Sequence, residues 1–142
     1  MKATELRLGN LIEYKIEDKL DERKEWWETN IVDIYDLQHM VEFPKSEVFR
    51  PILLTEKWLK DLGFEFTEDE LGYFFQWKLK HKKEHIEFGL YVPGEEDEWR
   101  YKFYCGGWNG PLNYVHQLQN IYFALTGEEL TQVSEWKNKN FV

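Results

Sequence analysis

The sequence predicts an α+β fold built on antiparallel sheet, and three observations predict it. Between residues 73 and 105 apolar and polar residues alternate with the period of a half-buried strand. The apolar sets are Tyr73, Phe75, Trp77 and Leu79, then Ile86, Phe88, Leu90 and Val92, then Trp99, Tyr101, Phe103 and Cys105. From residue 112 the period becomes helical, with Tyr114, Val115, Leu118, Ile121, Tyr122 and Leu125 on one broad stripe. At 142 residues the chain has the size of one domain that buries a core without disulfides or metals. The expectation is therefore a single domain over 1–142. Within it, 1–54 form a small antiparallel, barrel-like sheet, and 55–142 form a helix, a three-stranded meander and a helix.

Each element follows from local chemistry. Ile12, Tyr14 and Ile16 alternate with Glu13 and Lys15, which predicts a first strand within 6–16. Residues 17–25 are nearly all charged and predict a solvated turn. Trp, Ile, Val and Tyr enrich 26–37, a second strand, and 39–43 read as a third that Pro44 interrupts. Thr55 stands where a helix N-cap belongs, followed by Glu56, with Trp58, Leu59 and Leu62 on one face and Gly63 as the stop. The short polar segments 81–85 and 93–98 predict antiparallel pairing of the strands they join. Gly106, Gly107, Asn109, Gly110 and Pro111 then break the sheet. The longer C-terminal helix begins at Pro111 or Leu112, ends at Gly127 and packs on the sheet. Leu130, Val133 and Trp136 leave the tail compatible with a further turn or a loose end.

Composition narrows the class of function. The net charge is −9, and it resides in the first hundred residues, since Lys102, Lys137 and Lys139 balance Glu128, Glu129 and Glu135 beyond them. Such a field repels phosphates, so nucleic acid and anionic membrane surfaces are poor partners. A single cysteine, Cys105, and an N-terminus without an apolar h-region predict the cytoplasm. No apolar run is long enough to span a membrane. Aromatic residues make up 18% of the chain, seven of them Trp, which predicts a ring-rich core with rings left for a partner surface.

Candidate chemistry is sparse. His81-Lys82-Lys83-Glu84-His85 fits the H-x-x-E-H pattern of inverted zinc peptidases, but that chemistry needs a helix and these residues lie between strands. Cys105 and His116 form the one thiol and imidazole pair suited to nucleophilic catalysis, with no third residue to orient the histidine. The loop Gly106-Gly107-Trp108-Asn109-Gly110-Pro111 runs from strand to helix yet lacks the lysine and hydroxyl residue of a P-loop. Carboxylates cluster at Asp18, Asp21 and Glu22, at Glu68 to Glu70 and at Glu95 to Glu98, in contexts that read as exposed turns. Lys78, Lys80, Lys82 and Lys83 read as protection of an exposed strand. With Phe74 and Trp99 nearby, they also outline a weak single-strand-binding patch.

Two segments carry a resemblance. Pro51-Ile52-Leu53-Leu54-Thr55-Glu56-Lys57-Trp58-Leu59 with Leu62-Gly63-Phe64, and Tyr114 through Leu130, resemble a family of short uncharacterised proteins from Bacteroides-group bacteria and their phages or mobile elements. Leu6-Arg7-Leu8-Gly9-Asn10-Leu11 is similar to that family's start. The resemblance implies a bacterial or phage cytoplasmic protein without an assigned reaction.

With no intact catalytic motif, the expected function is that of a non-enzymatic interaction or accessory protein whose partner is another protein. Gln117 and Asn120 share a helical face flanked by His116, and with Trp108 and Asn109 they make up the expected interaction surface. No catalytic, cofactor or metal site is assigned, and no cofactor is expected. The alternatives are a small enzyme or ligand-binding domain using Cys105, the glycine loop and His116, and an acidic mimic of DNA.

Overall fold

The computed structural model describes residues 1–21, 24–71, 74–82, 87–93, 101–105 and 108–134. For residues 66, 68–71, 74–78, 87–93, 101–105 and 108–111 it describes the backbone course alone. Two antiparallel sheets and three α-helices make up the α+β fold. The chain divides into two compact units, Met1–Leu53 with Tyr114–Glu129, and Leu54–Asn113 with Leu130–Val142.

In the first unit β1 (Leu11–Glu17) and β2 (Glu25–Ile31) form a hairpin in continuous register, from Leu11 opposite Ile31 to Glu17 opposite Glu25. The charged stretch between them turns, with the Asp18 amide donating to the Lys24 carbonyl at 2.9 Å. The two-residue β3 (Phe49–Arg50) flanks β1 on its other side, giving the order β2-β1-β3. This sheet is open and three-stranded, where a barrel-like sheet was expected. Its third strand also lies elsewhere than expected, because α1 (Ile34–Glu42) occupies the end of the expected second strand and nearly all of the expected third.

A capping box decides that difference. Asp33 Oδ1 accepts from the Asp36 amide, and Asp36 Oδ2 accepts from the Asp33 amide, both at 2.9 Å. These bonds satisfy donors that a helix start otherwise leaves free and outweigh the β-propensity of Ile and Tyr. Leu37 and Met40, three apart, then face a core of Leu6, Ile12 and Val32, with Phe49 beside it. Burying such a side chain contributes about 1.5–3 kcal/mol, enough to fix the helix on the sheet.

The last helix, α3 (Val115–Thr126), belongs to this unit and packs against β1. Its stripe of Val115, Leu118 and Tyr122 is buried. Gly127 caps it at φ +73°, as expected from a glycine at that place. The helix begins at Val115, later than expected, because the residues before it are a strand of the other unit. Local pattern assigns the helix to the adjacent meander; the structure groups it with the N-terminal strands.

The second unit opens with α2 (Glu56–Asp61), where Thr55 Oγ1 accepts from the Trp58 amide at 3.2 Å. Gly63 at φ +90° ends that turn. A five-stranded meander follows in sequential order: β4 (Phe64–Leu71), β5 (Phe74–His81), β6 (Glu87–Pro93), β7 (Tyr101–Cys105) and β8 (Trp108–Leu112). Three strands were expected. The outer two are missed for physical reasons. β4 carries Glu68, Asp69 and Glu70, which read as a turn, yet its register sets Glu65 opposite Lys80 and Thr67 opposite Lys78. β8 contains Gly110 and Pro111, which read as breakers, yet an edge strand tolerates a proline. The register of β7 with β8 runs from Tyr101 opposite Leu112 to Cys105 opposite Trp108. Leu54, Leu59, Leu62, Phe64, Leu79, Leu112 and Leu130 are buried in this unit.

Candidate interaction surface

Two polar residues of α3, His116 and Gln119, are buried, and Gln117 and Asn120 are half-buried. Gln119 is buried, and its Oε1 accepts from the Leu11 amide at 2.7 Å. That amide lies on the β3 side of β1, beyond the reach of the two-residue β3, so the helix side chain completes the ladder where the strand is missing. Asn120 Oδ1 accepts from Arg7 Nε and Asn10 Nδ2, both at 2.9 Å, and its Nδ2 donates to the Glu5 carbonyl. Arg7 also pairs with Glu129 at 2.7 Å and lies 4.2 Å from the Phe123 ring centroid. Together these contacts pin the N-terminal segment to the helix.

Of the five residues expected to form an interaction surface, three lie in this unit. Gln117 Oε1 accepts from the Tyr114 amide at 3.1 Å and caps the helix, while Asn120 is engaged as above. The His116 ring is buried, stacks on Tyr114 at 5.7 Å with planes 9° apart, and has no hydrogen-bond partner for Nδ1. Burial pushes its pKa below the ordinary value, with the Glu5 carboxylate opposing. Trp108 and Asn109 lie on β8, in the other unit, opposite Cys105 and Tyr104.

The remaining motifs are placed as follows. His81 ends β5, buried, its Nε2 3.1 Å from the Leu62 carbonyl and its ring edge-on to Phe64 at 5.0 Å. Lys83, Glu84 and His85 lie outside the described residues, as do Gly106, Gly107, Glu95 to Glu98, Trp99 and the Cys105 side chain. Lys80 and Lys82 are exposed. Among the described residues no cluster of three His, Cys, Asp or Glu is placed to hold a metal, and no helix is long and apolar enough to cross a membrane.

Sequence reasoning missed the surface made by β2 and α1. An amphipathic helix on a core presents polar residues outward. In α1 the outward positions include Ile34 (60% exposed), Tyr35 (76%) and Val41 (70%). Ile34 and Val41 are two turns apart and share one face. Ile31, at the end of β2, and Phe43, past the helix, are exposed as well. Beside Phe43 lies an open depression of about 470 Å³ walled by His39, Pro44 and Ser46. The signal is present in the sequence as the run Ile31-Val32 and Ile34-Tyr35, whose β-branched and aromatic side chains predict strand across 26–37 and so hide it.

The two faces of the β1–β2 hairpin differ in charge. On one, Arg50 lies 4.0 Å from the Trp27 ring centroid and pairs with Glu13 at 2.6 Å. On that face Lys15 also pairs with Glu25 at 2.9 Å, and that hydrogen bond raises the ammonium pKa. On the other face Trp26 Nε1 donates to Glu28 Oε1 at 2.9 Å, and Glu28 stands opposite Tyr14, itself 5.4 Å from Phe49. Trp26 (44%) and Tyr14 (41%) are exposed there.

Comparison of the chain with models of protein families, with curated proteins and with solved structures finds no match.

Proposed function

We propose that this chain is a protein-interaction module, an accessory protein that binds a partner protein through β2 and α1 of its first unit. One observation carries the reading: α1 is apolar on both sides, burying Leu37 and Met40 while exposing Ile34, Tyr35 and Val41. Ile34 and Val41 share one exposed face and Tyr35 lies about 100° round the helix from Ile34; exposed apolar side chains so close together mark a surface that a partner covers, and covering each contributes about 1.5–3 kcal/mol. The net charge of −9 favours a basic partner and disfavours nucleic acid. The support for setting this proposed role in a bacterial or phage cytoplasm is the resemblance of the segments 51–64 and 114–130 to short proteins of Bacteroides-group bacteria and their mobile elements.

The test is affinity capture from native lysate with the wild-type chain and with Ile34→Asp/Val41→Asp. Both substitutions lie on the solvent side, so the thermal midpoint is expected to stay near that of the wild type. A stoichiometric partner captured by the wild type and lost with the variant supports the reading. No reproducible partner, or one captured equally by both, contradicts it.

A further inference from the structure

β2 stands at one end of the strand order β2-β1-β3. Strand backbones alternate the side to which they offer their amides and carbonyls. In β1 the Lys15 amide donates to the Val48 carbonyl and the Leu11 amide to Gln119, so the odd residues face away from β2. Ile12, Tyr14 and Ile16 therefore face β2, and their partners Asn30, Glu28 and Trp26 face back. Alternation leaves the amides and carbonyls of Glu25, Trp27, Thr29 and Ile31 directed outward along the edge of the order β2-β1-β3.

Natural sheets block such edges with lysine, proline, bulges or very short strands. β2 has none of these: it runs seven residues in unbroken register and contains neither Lys nor Pro. A residue placed opposite Glu28 on an added strand would form a non-hydrogen-bonded pair, the kind in which side chains approach most closely. It would meet a carboxylate held by Trp26 Nε1, with Trp26 and Tyr14 exposed on the same face. The opposite face shows what such a setting holds, since there Arg50 lies against Trp27 and pairs with Glu13. Among the described residues no cation pairs with Glu28.

We propose that the edge of β2 takes an extended segment of a partner protein as an added antiparallel strand, with an arginine or lysine of that segment held by Glu28 against Trp26 and Tyr14. This rests on the reading of the first unit as a protein-binding module and specifies its mode of recognition. Charge selects the occupant: a second copy paired about Glu28 would set two carboxylates face to face on a chain already at −9, whereas a basic segment meets opposite charge and ring faces together.

The experiment uses the full-length chain, labelled with nitrogen-15, and two synthetic peptides of alternating threonine and valine. One carries arginine at alternate positions on one face; the other carries glutamate there. The arginine peptide is expected to slow amide exchange at Trp27, Thr29 and Ile31 and to shift the Trp26 indole resonance, while the glutamate peptide does neither. Glu28→Gln is expected to weaken arginine-peptide binding by about fivefold. Thr29→Pro, which removes an outward donor and no bond to β1, is expected to abolish the protection. Equal binding of both peptides, or no protection along β2, overturns the proposal. So does protection that rises with protein concentration in the absence of peptide, which assigns the edge to a second copy. Lysate capture separates this proposal from the reading beneath it. A partner lost with Ile34→Asp/Val41→Asp but retained by Glu28→Gln and Thr29→Pro overturns strand addition and leaves the module standing. No capture by the wild type, with peptide protection intact, overturns the module.

Discussion

Burial of the His116 ring against Tyr114 lowers its proton affinity in the folded chain, whereas the unfolded chain binds that proton with the ordinary affinity near 6.5. Acid therefore favours unfolding through this residue. The stability it protects is fully present above 6.5 and is lost as pH falls from there toward the lower folded value, at up to about 1.4 kcal/mol per pH unit. His116→Phe keeps a ring against Tyr114 and removes the proton, so the drop in urea midpoint between about pH 7 and about pH 5 is expected to shrink. A drop of unchanged size would exclude His116 as its source. Gln119 makes a second residue-scale case. Gln119→Met preserves length but strands the buried Leu11 amide, with an expected cost of about 1–3 kcal/mol in chemical denaturation. Neither role is legible in the sequence. Nothing local marks Gln119 as a buried acceptor, because its partner lies 108 positions away and no local period encodes such a pairing.

Elements were legible where a local signal and the tertiary partner agree. Thr55 with Gly63 marks α2, Gly127 marks the end of α3, and the alternations at 73–79 and 86–92 mark two strands of the meander. They were misread where two local signals compete. Residues 33–42 combine β-favouring side chains with an Asp-x-x-Asp box, and the box wins because it satisfies helix-start donors that β-propensity cannot. Asp33→Ala removes one half of that box and is expected to destabilise the chain by about 1 kcal/mol in urea titration. Amide exchange in α1 is expected to rise with it, and exchange in α2 is expected to stay unchanged. A uniform loss of protection in both helices would show instead that the box does not act on α1 specifically.

At the scale of the molecule, the α+β class and the antiparallel character of both sheets follow from periodicity. The assignment of α3 does not. Helix and meander are neighbours in sequence, and choosing β1 as the partner of α3 takes the Arg7, Asn10, Gln119 and Asn120 contacts that join the two ends of the first unit. Those contacts engage the side-chain amides of Gln119 and Asn120 within the first unit, whereas Ile34, Tyr35 and Val41 of α1 face solvent, and the partner surface proposed above is therefore set on β2 and α1. Site-specific photocrosslinking in cells tests that assignment most directly. A benzophenone side chain at Tyr35 is expected to trap a discrete partner protein, and one at Leu125, exposed on α3 of the same unit, is expected to trap none. Trapping from Leu125 and silence from Tyr35 would contradict it.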